Sequence, residues 1–168
     1  MHRQTENGFS LIELLIVVAI IGVIAAIAIP NLLASKRAAN EGSALAALRI
    51  ISSAEATYQS TGGGGQYGDL ASLNTQRLVD VVVGAAIIGG SNPKSGYFFS
   101  AENISGIGIP AFDAKAQPSI HTSVSNITGS GSRSFFVNES GVMYYNSTAT
   151  APICAADATR AVTGTHLN

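Results

Sequence analysis

Polar and apolar positions divide this 168-residue chain into three regimes. Residues 1–8 are short and polar. From Leu14 to Ile29 no charge occurs, and Ile, Val, Leu and Ala fill nearly every position. Beyond Asn31 the apolar residues become periodic, with Ala44, Ala47, Leu48, Ile51, Ala54 and Tyr58 at spacings of three and four. Those spacings lie along one stripe of a helix, and Lys36, Arg37, Asn40, Glu41 and Arg49 are expected mostly off it. The pattern predicts one long helix from Phe9 to about Gln59, apolar in its first half and amphipathic in its second. The 21 residues from Leu14 to Ala34 match the length of about 20 that crosses a bilayer. Gly22 and Pro30 are its weak points. Proline removes a backbone donor and crowds the preceding turn, so a kink or local melting near Ala26–Pro30 is expected.

Gly62-Gly63-Gly64-Gly65 has too much backbone freedom to continue a helix. Asp69 is placed to cap a short helix containing Leu70, Leu73 and Leu78. Val79–Gly90 is apolar and fits either a helical turn or a strand. Strand patterns follow at Tyr97-Phe98-Phe99, after the turn signal Asn92-Pro93-Lys94-Ser95-Gly96, and at Ala111–Ala116. Ser134–Val137 and Val142–Tyr145 flank Asn138-Glu139-Ser140-Gly141, the clearest hairpin in the chain. The fold class is α+β: a long N-terminal helix packed on an antiparallel sheet of three to four strands. The C-terminal half of the helix is expected to lie against a sheet carrying Phe98, Phe112, Phe135 or Phe136, and Tyr144. The tail after Ala151 carries no readable pattern.

Composition changes this picture in three places. Only 11% of residues are charged and the net charge is −1, so no basic face for general nucleic-acid binding is present. Cys154 is the one cysteine, which rules out an intrachain disulfide; the fold must be held by its core, by neighbouring subunits or by a metal ion. Cys154 itself fits a small buried apolar position, a free thiol or an intermolecular link. Arg3 and the Met1 amine on one side of the apolar run nearly balance Lys36 and Arg37 on the other, so charge does not orient a membrane span.

No catalytic constellation is present. His2, His121 and His166 have no metal-site spacing, and the glycine run lacks the Lys-Ser/Thr of a phosphate loop. Asp69, Asp80, Asp113, Glu139 and Asp157 are available oxygen ligands, but they form no dense calcium-binding run. No metal, cofactor or specific nucleic acid is called. Asn103, Asn126, Asn138 and Asn146 each begin an Asn-x-Ser/Thr triplet, which a Ser- and Thr-rich chain produces readily by chance.

The informative residue is Glu13, inside Gly8-Phe9-Ser10-Leu11-Ile12-Glu13-Leu14-Leu15. A carboxylate costs roughly 2.5–3.5 kcal/mol at the bilayer centre and less near its edge, so a partner is expected. A cut between Gly8 and Phe9 would create an amine close by. Gly8-Phe9-Ser10-Leu11-Ile12-Glu13 resembles the processing site of type IV prepilins and the related pseudopilins. The resemblance covers residues 8 to about 34, and Pro30 falls where many members carry a helix-bending proline. It implies cleavage by prepilin peptidase between Gly8 and Phe9, methylation of the Phe9 amine, and pairing of Glu13 with the amine of a neighbouring subunit. It also implies a cytoplasmic N-terminus. The second half resembles disulfide-poor pilins less specifically, through Lys94–Phe99 and Arg133–Val142.

The expected organisation is a cleaved leader over 1–8, a transmembrane and assembly helix over 9–34, the amphipathic half of that helix over 35–60, and a globular head over 61–168. The resemblance implies a non-enzymatic structural subunit of a type IV pilus. It would sit as a single pass in the inner membrane, join a homo-oligomeric helical filament at the cell surface, and depend on pilus assembly machinery for extrusion. A pseudopilin of a type II secretion system fits the same N-terminus. A membrane-anchored periplasmic binding module is the reading from a different class, and predicts indifference to Glu13. A conventional signal cut after Ala25 or Ala26 is a further alternative, although such signals place their apolar core before the cut.

Overall fold

The computed structural model describes residues 8–122, 128–155 and 159–167. The chain separates into two compact units, one ending at Ser35 and one beginning at Lys36. Helix α1 runs from Leu11 to Thr61, with Pro30 inside it. In the first unit its apolar side chains have no cover. Leu11, Ile12, Leu14 and Leu15 are all more than 60% exposed, and the large apolar side chains from Ile16 to Ile29 are each at least 48% exposed.

In the second unit the amphipathic half of α1 does what its stripe predicts. Ala44, Ala47, Leu48, Ile51 and Ala54 are buried, and Tyr58 is partly so. Strands β1 (Tyr97–Ile104), β2 (Ala111–Pro118), β3 (Ser134–Asn138) and β4 (Met143–Asn146) pair antiparallel in that order. The tail adds β7 (Thr165–His166) beside β4, making a five-stranded sheet, one strand more than the pattern predicts. It also pairs β5 (Ile153–Cys154) with β6 (Val162–Thr163). These three elements have two residues each, too short to leave a periodic signature.

Two short helices fill the connection between α1 and the sheet. Helix α2 (Leu70–Thr75) is capped as predicted by Asp69, whose side chain accepts the Ser72 N–H at 2.7 Å, but it ends before Leu78, which the pattern places inside it. Helix α3 (Val81–Ala85) resolves the ambiguous apolar stretch as a helical turn capped by Asp80, followed by an Ile87–Phe99 bridge.

The sheet carries the expected aromatics, but they divide between its two faces. Tyr97, Phe99, Phe112, Phe135 and the partly buried Tyr145 belong to the core cluster with α1. Phe98 and Tyr144 do not, because side chains alternate across a strand. Phe136 is also fully buried, but its ring lies beside Tyr144, 6.3 Å between centroids.

The amphipathic stripe also carries two carboxylates that its apolar reading leaves off, Glu41 and Glu55. Glu41 accepts the Ser132 N–H and Oγ–H, each at 2.8 Å, and pairs with Arg133 at 2.7 Å. Burial pushes its carboxyl up, but these donors outweigh burial and leave it below the usual carboxylate range. Arg133 in turn lies over the rings of Phe135 and Tyr145. Its carbonyl accepts the Tyr97 hydroxyl at 2.7 Å. Beside it, Gly131 passes so close to that hydroxyl that a Cβ would collide with it.

Arg160 is the second tie. Its side chain is only 8% exposed and bridges Asp113 on β2 and Glu139 in the β3–β4 turn, while donating to the Phe112 carbonyl at 2.9 Å. Burial raises the Asp113 carboxyl, and Arg160 offsets only part of that. For the less buried Glu139, burial also acts upward, but the Arg160 bonds prevail and lower it. This cluster joins the tail to the sheet without a covalent tie.

Arg160→Ala leaves two acidic groups uncompensated, and removing one partner of a buried pair costs roughly 3–5 kcal/mol. Thermal melting of the full-length chain in detergent is expected to show a clear drop for this variant. Reductant is expected to leave the melt of the unmodified chain unchanged. An unshifted melt for Arg160→Ala contradicts the role given to the cluster.

Candidate functional site: the N-terminal segment

The site is the segment from Gly8 to the first turns of α1. Glu13 lies in the first turn of the helix. There its charge meets the partial positive charge of the unpaired N–H groups. Its Oε2 accepts the Ser10 N–H at 2.9 Å, and the Leu14 N–H donates to the Ser10 carbonyl at 3.2 Å. This is the backward-reaching bond of a Ser-x-x-Glu capping box. The sequence carries that signal, and a reading of Glu13 solely as an ion-pair partner misses it. In this structure the helix end itself is the first partner of Glu13. A carboxylate can accept more than one donor, so this bond leaves capacity for an amine.

Two glycines here have no structural demand on them from within the chain. Among the described residues a Cβ at Gly8 would meet nothing within 4 Å, and a Cβ at Gly22 would meet no side chain or distant backbone. Neither has a left-handed backbone that favours glycine. The helix runs through both Gly22 and Pro30. Phe9 is 86% exposed, so the Gly8–Phe9 junction is accessible. The helix beyond it is long and apolar enough to cross a membrane.

The potential metal ligands are engaged otherwise. Asp69 and Asp80 cap helices, and Asp80 also faces Lys94 at 3.4 Å. Asp113 and Glu139 are held by Arg160. Asp157, His2 and Asn126 lie outside the described residues. Among the described residues no group of three or more His, Cys, Asp or Glu side chains could hold a metal ion. His121 contacts the Ser132 carbonyl at 3.1 Å. Cys154 is half-buried, burial pushes its thiol up, and its Sγ lies 3.7 Å from Asn138 Nδ2. A thiol held in the protonated form is a poor nucleophile.

Residues 3–29 match the family described as the prokaryotic N-terminal methylation motif. The chain is 58% identical over 38 residues to the type IV wide pilus major component PilA4 of Thermus thermophilus, covering 23% of this chain and 29% of that protein. It is 32% identical over 59 residues to the type II secretion system core protein G of Klebsiella michiganensis, covering 35% and 42%. A core protein G from Aeromonas hydrophila matches at 29% over 59 residues, covering 35% and 41%. The chain thus spans less than half the length of these relatives. No solved structure matches it.

Because Gly8 touches nothing, Gly8→Leu is expected to leave the melting of the full-length chain within about 0.5 kcal/mol of the parent. A thermal melt in detergent checks this. A marked loss of stability would show that the glycine serves the fold.

Proposed function

We propose that this type IV pilin-like chain is a structural subunit of a type IV pilus. The observation that carries the reading is the uncovered apolar run behind Glu13. So large an apolar surface requires lipid or other helices around it. Leaving lipid for a bundle of like helices exchanges one apolar setting for another. Assembly can therefore proceed without exposing the run to water.

In this reading residues 1–8 are a leader removed by prepilin peptidase between Gly8 and Phe9, and the new Phe9 amine is methylated. Residues 9–34 are the membrane and assembly helix, 35–60 its amphipathic half and 61–168 the head. The subunit waits as a single pass in the inner membrane and ends in a homo-oligomeric helical filament at the cell surface. Glu13 accepts the Phe9 amine of a neighbour and thereby sets axial register. Gly22 and Pro30 are the positions at which the helix would bend or loosen on packing, Gly22 because it lets another helix approach. The role is structural rather than enzymatic. Extrusion is the work of separate assembly machinery.

A pseudopilin of a type II secretion system is the second reading. It is favoured by the longer match to the core protein G relatives, 59 residues against 38 for the pilus component. Both readings share the processing and the Glu13 role. They part on whether the protein is recovered in sheared surface filaments or only in the cell envelope.

Two outcomes are expected. The mature protein from its host begins at methylated Phe9, measured by intact mass and N-terminal sequencing, and Gly8→Leu accumulates uncut. A mature chain starting after Ala25 or Ala26 contradicts the assignment. Glu13→Ala, as the sole copy, inserts and is cut normally but forms few or no filaments. Removing one partner of a buried pair costs roughly 3–5 kcal/mol, part of which returns if the amine deprotonates. Filaments counted by microscopy in normal number, with normal membrane levels, would favour the anchored-module reading.

A further inference from the structure

Glu55 is fully buried on the α1 stripe, yet it lacks what makes burial of Glu41 tolerable. Its Oε2 accepts the Gly68 N–H at 2.8 Å. Among the described residues its Oε1 is buried with no hydrogen-bond partner. Among the described residues no lysine, arginine or histidine pairs with it. An ionised carboxylate in that position is costly, whereas a neutral carboxylic acid is far less so.

The segment that closes on Glu55 is the glycine loop. The N–H groups of Gly62 and Gly63 both donate to the Tyr58 carbonyl, at 3.0 and 2.7 Å, and Gly65 donates to the Gln59 carbonyl at 3.1 Å. Gly63 is wrapped so tightly that a Cβ would lie 2.9 Å from the Tyr58 ring and would strike the Gln66 carbonyl. The chain then lays Tyr67 against Phe112, 4.8 Å between ring centroids, before Gly68 reaches Glu55. Gln59 Nε2 donates to the Gly65 carbonyl at 3.3 Å and Asn103 Nδ2 to the Tyr67 carbonyl at 2.8 Å, and the Gly68 end of the loop is tied to α1 through the Glu55 carboxyl.

The titratable groups around Glu55 offer its charge no relief. Asp69, at the end of the loop, is acidic, and its own carboxyl is held low by the Ser72 cap. Burial, with the charges of Glu139 from the β3–β4 turn and of Glu55, pushes the Tyr67 hydroxyl up. Glu139 is already matched by Arg160. The helix contributes Tyr58 one turn on, and no cation.

We propose that Glu55 is a proton-controlled latch: as a neutral acid it holds the Gly62–Gly68 loop closed on α1, and on ionisation it draws in water and releases the loop. Burial pushes the carboxyl up, the Gly68 bond offsets part of that, and the Asp69 charge adds to it, leaving it at about 7 against an ordinary 4.5. The sign follows from proton linkage. Between these values the closed head holds a proton that the open chain does not. Its extra stability is therefore complete below about 4.5 and is lost as pH rises through about 7. The inference rests on the head alone and stands apart from the filament reading.

The test is hydrogen exchange of the full-length chain in detergent, read on peptides covering residues 62–69 and corrected for the intrinsic rate. Protection is expected to fall about tenfold or more between about pH 5.5 and about pH 8.5, with strand β2 unaffected. Glu55→Gln cannot ionise and is expected to show no such fall. The same fall in Glu55→Gln, or none in the parent chain, overturns the latch. A second measurement needs no variant: the Glu55 side-chain carboxyl carbon, followed by NMR, is expected to titrate near 7. A midpoint near the ordinary 4.5 overturns it.

Discussion

The constraint on which the rest depends is an apolar surface with no cover of its own, bordered by one carboxylate. Among the described residues the large apolar side chains from Leu14 to Ile29 are exposed. Hydrophobic surface of that extent is unfavourable in water, but apolar packing alone is nearly indifferent between lipid and other helices. Selectivity must come from something directional. Glu13 is the one charged side chain at the edge of the run, and its capping bond to Ser10 keeps the carboxylate at the helix end. The proposed assembly uses the remaining capacity of that carboxylate. Gly8 and Gly22 belong to the same argument, since neither is needed by the fold of the isolated chain.

The head meets a different demand. It has one cysteine and no tryptophan, so it cannot rely on a covalent tie or a very large aromatic. It uses an aromatic core from Tyr97, Phe99, Phe112 and Phe135, together with two arginines holding distant segments. Arg133 meets Glu41 from the helix, and Arg160 meets Asp113 and Glu139 from the sheet. Both depend on long-range pairing, and both place charge where it is matched. Glu55 is the exception, and its lack of a counter-charge is what makes it responsive to protons.

Much of this architecture was legible because it is local and periodic. The α1 stripe, the Asp69 cap and the hairpin around Asn138–Gly141 each have a short-range physical cause. The features that were not legible are long-range. Nothing near Arg160 in sequence indicates that it will reach Asp113, 47 residues earlier. Nothing near Glu41 announces Ser132 and Arg133. The spacing of Glu41, Ala44, Leu48, Ile51, Glu55 and Tyr58 does place both acids on the buried stripe, but their charge argues for the outer face until their partners are known. In β1, Phe98 and Phe99 are equally apolar, and only the register with β2 decides which one faces the helix. At the candidate site the Gly-Phe-x-x-x-Glu pattern was conspicuous, while the Ser10–Glu13 cap was present in sequence and overshadowed by the ion-pair reading.

The central claim is that the uncovered run packs among copies of itself with Glu13 setting the register. A high-resolution electron cryomicroscopy map of filaments from the native host tests it most directly. The account predicts that residues Leu14 to Ile29 are enclosed by neighbouring helices and that a carboxylate oxygen of Glu13 lies within hydrogen-bond distance of a Phe9 amine from another subunit. A filament core in which Glu13 faces solvent, or in which this run takes no part in the contacts between subunits, would contradict it.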